Sequence, residues 1–220
     1  DNSTSYYFDA TNGSDDNNGT SPDKAGKSLA KTRGLKLSPG DKILLKNGET
    51  FIGELYLNGT GTAEAPIIID GYGDKGHDPC IIGYDQSPYA VYVYNSSQIT
   101  IKNLEIVNTG KDRLPGRTGV KVHLENYGTA HSITLRNLYI HDVNGSLVKK
   151  QGGGSGIYIV NEGEKPSIFD GLTIENCIIR RCERNGIIWW GYVTRDFWHP
   201  NRHVVVRNNL IEGVPGDGIV

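Results

Sequence analysis

The chain has 220 residues, 36% of them apolar and 22% charged, with a formal net charge of −2. That is enough apolar material for a core, and so balanced a charge creates no global field demanding nucleic acid or an anionic membrane as partner. No run of about 18 apolar residues reads as a membrane span, and three cysteines, Cys80, Cys177 and Cys182, without a C-x-x-C pair exclude a disulfide scaffold and a zinc knuckle.

The 29 glycines and frequent Asn-Gly pairs point to a turn-rich all-β chain. Residues 5–9 read as an opening strand, followed by a polar loop to about Thr20. Ser21-Pro22-Asp23 introduces a short amphipathic stretch in which Leu29, Leu35 and Leu37 face one way until Pro39-Gly40 stops it, predicting one capping helix. Ile43-Leu44-Leu45 and Ile67-Ile68-Ile69-Asp70 are continuous apolar runs, the pattern of strands buried from both sides.

From Tyr89 onward a repeat emerges. Ile99-Thr100-Ile101-Lys102-Asn103-Leu104 recurs as Ile133 to Leu138, Leu172 to Cys177 and Val204 to Asn209, each with an asparagine at the same place. Successive strand residues alternate sides, so the Ile side chains point inward while Thr and Lys point outward. Asn103, Asn137, Asn176 and Asn208 fall at the following bend, where an amide tolerates left-handed backbone and bonds its counterpart one coil away. Each copy then meets a glycine and a second strand, beginning at Gly119, Gly156, Gly186 and Gly218. Two strands per repeat specify a solenoid. The asparagines are spaced by 34, 39 and 32 residues, so each coil carries an insertion. The large ones, Thr109 to Thr118, Val143 to Ser155, Asn161 to Ser167 and Tyr192 to Arg202, flank the Gly-initiated strands on both sides and are expected to wall a groove along them.

The capping segment (Tyr6-Tyr7-Phe8, Asn12-Gly13-Ser14, Asn18-Gly19-Thr20-Ser21-Pro22, Ser28-Leu29-Ala30-Lys31, Ser38-Pro39-Gly40-Asp41-Lys42-Ile43, Gly48-Glu49-Thr50-Phe51) and the repeat together resemble the right-handed parallel β-helix proteins of the pectin-lyase-like superfamily, in the bacterial secreted, carbohydrate-active subgroup. The resemblance covers essentially the whole chain. It implies an all-β parallel β-helix with a cap over residues 1–40 and coils over residues 41–220. It does not fix the chemistry, because superfamily members include lyases, hydrolases, esterases and tailspikes. The pectate-lyase and polygalacturonase signatures are unmatched: no late coil has paired aspartates, and there is no Gly-His-Gly.

All three tryptophans lie within Trp189 to His203, a segment that also holds Tyr192, Asp196, His199 and Arg202. Sugar rings stack their C–H faces on aromatic rings and need polar groups at the rim, so this is the composition of a saccharide cleft. Alternation puts Trp189 inside and Trp190 on the groove. Its row then holds His123 and Val160, and the neighbouring row holds Lys121, Tyr158, Ile188 and Val220. The substrate-binding candidates are Trp189, Trp190, Tyr192, Trp198, Arg202, His203, Tyr158, Lys121 and His123.

Glycoside hydrolysis needs two carboxylates. Asp196 leads, with Asp217 as best partner and Glu162 as a weaker one; Arg195 and His199 complete the catalytic set. A polysaccharide lyase acting on a uronic-acid-containing glycan is the alternative, since Arg195, His199, Arg202 and His203 offer a base and cations, and residues 176–207 carry six arginines. A non-catalytic surface glycan-binding protein is the third reading. No cofactor is expected, calcium at Asp15, Asp16 and Asn17 being a remote option without EF-hand spacing. The expected partner is a polysaccharide or oligosaccharide, not nucleic acid. A start at Asp1 and the absence of Met suggest a processed product that is secreted, periplasmic or cell-surface. The repeat stops in mid-coil at Gly218-Ile219-Val220, predicting further coils or domains after it.

Overall fold

A computed structural model describes residues 2–192, 196 and 198–220. The chain winds as a solenoid whose rungs are parallel strands. β1 (Ser5–Phe8) pairs with β2 and leads into the first coil, β2 (Lys42–Lys46), β3 (Thr50–Ile52) and β4 (Leu55–Leu57). The next coil is β5 (Ile67–Tyr72), β6 (Cys80–Ile82) and β7 (Tyr89–Tyr94). In the third and fourth coils one long strand bends across two faces: β8 (Ile99–Asn108) precedes β9 (Thr118–Glu125), and β10 (Gly128–Asn144) precedes β11 (Ser155–Glu162). The fifth coil is β12 (Ser167–Glu175), β13 (Ile178–Glu183) and β14 (Asn185–Trp190); β15 (Arg202–Arg207), β16 (Leu210–Glu212) and a bridge from Ile219 to Ile187 form the last.

Three faces result. The first runs β2, β5, the front of β8 and of β10, β12 and β15. The second runs β3, β6, the back of β8 and of β10, β13 and β16. The third is β4, β7, β9, β11 and β14. The in-register pairing stacks like on like. On the first face Ile43, Ile69, Ile101, Leu135, Ile174 and Val206 form one interior column. The third face has Leu55, Val91, Val120, Ile157 and Ile187 in another. Burying each such side chain contributes about 1.5–3 kcal/mol, and these columns make one continuous core.

The asparagine bends take the conformation their sequence implies. Asn103, Asn137, Asn176 and Asn208 have φ of 59°, 53°, 54° and 55°, the left-handed region that asparagine enters most readily after glycine. Asn137 Nδ2 donates to Asn103 Oδ1 at 3.2 Å, and Asn103 Nδ2 donates to Asp70 Oδ1 at 2.9 Å.

Two expectations need correction. The capping helix is a pair of 3-10 turns, Pro22–Lys24 and Leu29–Gly34; Leu29 still enters the core, whereas Leu37 does so from a bridge to Gly59. The apolar runs at Ile43 and Ile67 are not buried from both sides, because Leu44 and Ile68 stand on the outer surface, partly exposed, while their neighbours point inward.

Candidate functional site

The third face presents its outward side chains in columns one rung apart. Tyr56, Tyr92, Lys121, Tyr158 and Ile188 form one, and Tyr94, His123, Val160 and Trp190 the next. Trp189 closes the interior column of Leu57, Val93, Val122 and Ile159 and packs on the core. Trp190, on the opposite side of the strand, is 53% exposed. Alternation therefore sorted the two tryptophans by side.

Around Trp190 lies a pocket of about 460 Å³. Trp189, Trp190 and Tyr158 supply its apolar wall, Arg184 and Asp217 its charges, and residues 152–154, from the insertion before β11, its far rim. Glycines at 152–154 all have positive φ, which lets this loop lie close to the sheet without side chains filling the space. Asp217 is exposed, and its backbone N–H is pinned by a hydrogen bond that it donates to Asn185 Oδ1 at 2.8 Å.

On the preceding coils the columns turn polar. Lys121 Nζ donates to Tyr89 Oη at 3.0 Å and stands 4.4 Å from that ring's centre. His123 is held at both nitrogens, with Tyr92 Oη 2.8 Å from Nδ1 and Glu162 Oε1 2.8 Å from Nε2. Tyr94 Oη donates to Glu125 Oε1 at 2.9 Å. Burial raises the Tyr92 and Tyr158 phenols above their ordinary range, and the bond to Glu125 raises Tyr94. All three stay neutral hydroxyls near neutral pH.

Several sequence candidates lie elsewhere. Arg202 and His203 begin β15 on the first face, where both reach Asp170, at 3.3 and 2.6 Å. Tyr192 works as a buckle, its hydroxyl accepting from Ser167 N at 3.0 Å and donating to Gly163 O at 3.1 Å; its ring stands edge-on to His199, 5.1 Å between centres. Asp196 and Trp198 are exposed on the loop after β14. Arg195 lies outside the described residues. Asp217 enters β14's rung before the strand and Asp196 follows it, so their loops spring from points about 17 Å apart. Glu162 is seven residues beyond Ser155, the partner of Asn185, which puts it about 23 Å along the face from Asp217. Glu162 and Asp217 are therefore not brought together.

Five arginines of the six-arginine segment lie among the described residues. Arg180 pairs with Glu212, Arg181 with Asp142, Arg202 with Asp170 and Arg207 with Glu175, partners on neighbouring rungs. Arg184 faces the pocket instead. At the cap, Asp15 Oδ1 accepts from the backbone of Lys27 and Ser28 at 3.1 and 2.8 Å, so its carboxylate closes a turn.

A family model described as "Right handed beta helix region" matches residues 81–220. The chain belongs to the right-handed β-helix family. Among proteins of this architecture it is 29% identical, over 98% of its length, to a lacto-N-biosidase of Bifidobacterium longum subsp. longum, of which it spans 19%. The crystal structure of the GH136 lacto-N-biosidase from Eubacterium ramulus superposes with a TM-score of 0.85 at 30% identity, covering 98% of this chain and 42% of that one. A rhamnogalacturonan lyase superposes with a TM-score of 0.51 at 15% identity, a likeness of fold. The chain thus spans less than half the length of the lacto-N-biosidases it matches.

For a β-helix, the consequence is a flat, rigid face on which loops raise walls. Sequence reasoning missed Tyr92, Tyr94, Glu125 and Arg184. Glu125 was findable: it and Glu162 each lie six residues after a strand-opening glycine, Gly119 and Gly156, and are direct rung partners.

Proposed function

We propose that this chain forms part of the substrate groove of a glycoside hydrolase of the lacto-N-biosidase type, which binds an oligosaccharide against the third face and cleaves a glycosidic bond in the pocket at Trp190. The reading is carried by the likeness, over 98% of the chain, to a lacto-N-biosidase with a TM-score of 0.85. The pocket holds a half-exposed Trp190 at one end and a carboxylate, Asp217, toward the other, which supports this reading: a flat apolar platform for a sugar ring and an acid along the same groove. We assign Asp217, the one carboxylate among the described residues that line the pocket, to the cleavage step. Pairing of Arg180, Arg181, Arg202 and Arg207 with acids removes most of the cationic surface on which a lyase for acidic glycans would rely. A secreted or cell-surface location belongs to the same proposal.

The test is release of nitrophenol from a nitrophenyl glycoside of lacto-N-biose. Asp217→Asn is expected to lower kcat by about 100-fold or more while substrate affinity persists; Trp190→Ala is expected to raise KM about tenfold with a smaller change in kcat. Full activity in Asp217→Asn would overturn the assignment, and unsaturated products released from a uronic-acid-containing glycan, detected by ultraviolet absorbance, would replace hydrolysis by elimination.

A further inference from the structure

Beside Val160, and two residues further along the strands, the third face carries His123, Glu125 and Glu162. We propose that these three residues bind one divalent transition-metal ion, through His123 Nε2 and one carboxylate oxygen from each glutamate. The site goes beyond the hydrolytic reading and does not depend on it.

Distance is the first support. One donor atom from each residue lies within 4.8 Å of the other two. Three atoms bound to one tetrahedral ion at 2.0–2.2 Å stand about 3.3–3.6 Å apart. Movement of the glutamate side chains by about an ångström closes the set.

Rigidity is the second. His123 is only 7% exposed. Its ring lies parallel to that of Tyr92, at 15° and 6.1 Å between centres, and edge-on to Tyr94 at 5.4 Å. The Tyr92 hydroxyl holds Nδ1, the contact that in metal sites fixes ring orientation and leaves the other nitrogen to the ion. Nε2 is thereby aimed at Glu162.

Charge is the third, and it is independent of the first two. Glu125 and Glu162 are rung partners on adjacent parallel strands, about 4.8 Å apart at the backbone. Adjacent carboxylates repel. Elsewhere on this solenoid such acids face a basic residue on the next rung, as Glu175 faces Arg136 and Arg207 and Glu212 faces Arg180. Among the described residues, neither Glu125 nor Glu162 has a lysine or arginine at ion-pair distance; the partner Glu162 finds there is the imidazole of His123. A bound dication supplies what this rung lacks.

One imidazole nitrogen with two carboxylates suits zinc, manganese or iron(II) better than calcium, which takes six to eight oxygens. Three protein ligands leave coordination positions open. Glu162 is 43% exposed at its side chain, so those positions face the groove. Because Glu162 lies two residues past Val160, the partner of Trp190, the ion would stand about 7 Å along the strand from the tryptophan's rung, within reach of the hydroxyls of a glycan stacked there.

The experiment uses the untagged chain, Zn²⁺ and Mn²⁺ as calorimetric probes, and Co²⁺ for its visible absorption spectrum; no glycan is present, so the outcome is separable from that of the hydrolysis assay. One ion per chain is expected, with a Co²⁺ spectrum of nitrogen and oxygen ligands. Glu125→Gln and Glu162→Gln preserve shape and hydrogen bonding, and each is expected to weaken binding at least about tenfold, with His123→Ala weakening it further. Far-ultraviolet circular dichroism monitors the fold of every variant, and the two isosteric Gln variants keep the test decisive if His123→Ala misfolds. Absence of saturable binding at one ion per chain, equal affinity in the Glu125→Gln, Glu162→Gln double variant, or Ca²⁺ binding tighter than Zn²⁺ and Mn²⁺ would each overturn the site.

Discussion

Asp142 shows how a single charged residue is tied into a rung. Arg181 grips it with two bonds of 2.8 and 2.9 Å, and His141 Nδ1 stands 2.6 Å from Oδ2. The arginine chiefly, with the histidine behind it, holds the carboxyl at a pKa of about 2, below the ordinary 3.8. A folded-state pKa below the unfolded one means stability that is fully present above about pH 4 and is lost as pH falls toward 2. The pair is partly exposed, so its worth is screened to about 0.5–1 kcal/mol. Asp142 has φ of 52°, which asparagine also accepts. Asp142→Asn should therefore isolate the charge: it is expected to lower the melting temperature at pH 7, with the deficit vanishing by pH 2. An equal deficit at both pH values would show that shape rather than charge is responsible. The thiols behave in the opposite sense. Burial pushes Cys177 up to about 11 and Cys80 and Cys182 up to about 12. All three are expected to resist alkylation at pH 7.5 in the folded chain and to react on unfolding, counted by mass spectrometry.

At the scale of the element, the glycines that open the third-face strands are explained by crowding. A methyl group on Gly156 would stand 2.7 Å from Ile179 Cγ2 and 3.0 Å from Gly186 O; on Gly119 it would meet Gly156 O and Ile140 Cγ2 at 2.6 Å each. The second and third faces come so close at this corner that a side chain cannot fit between the isoleucine column and the next rung's carbonyl. Gly156→Ala is expected to cost about 1–3 kcal/mol in chemical denaturation, and a neutral result would mean that the corner can open. These strands were legible because the period of two and the glycine mark survive variable loops; counting four residues on from Gly119, Gly156 and Gly186 reaches His123, Val160 and Trp190 without knowledge of the fold. The capping helix was not legible. Leu29, Leu35 and Leu37 reach the core by different routes, Leu29 from a 3-10 turn and Leu37 from a bridge, so their shared apolar character records burial and not a helical face. Arg202 and His203 misled for a related reason. They follow Trp190 closely in sequence, but the chain turns a corner between them and lays them on the first face.

At the scale of the whole molecule, the candidate pocket draws on adjacent coils of a stack in which each coil touches only its neighbours, and this has a thermodynamic consequence. In such arrays stability is a sum of local terms, coil by coil and interface by interface. Trp189 N donates to Val220 O at 2.9 Å, so the pocket's strand depends on the coil that follows it. Since Trp189, Trp190 and Trp198 are the tryptophans of these 220 residues, tryptophan emission reports on the coils around the pocket, whereas far-ultraviolet circular dichroism averages over every coil. Emission and β-sheet ellipticity are therefore expected to follow urea transitions with different midpoints. An oligosaccharide that binds at Trp190 should raise the emission midpoint more than the ellipticity midpoint, because a ligand stabilises the unit whose folding its site requires. Coincident transitions, with and without the sugar, would mean that the coils around the pocket and the rest of the solenoid unfold as one, and that the pocket inherits the full stability of the stack.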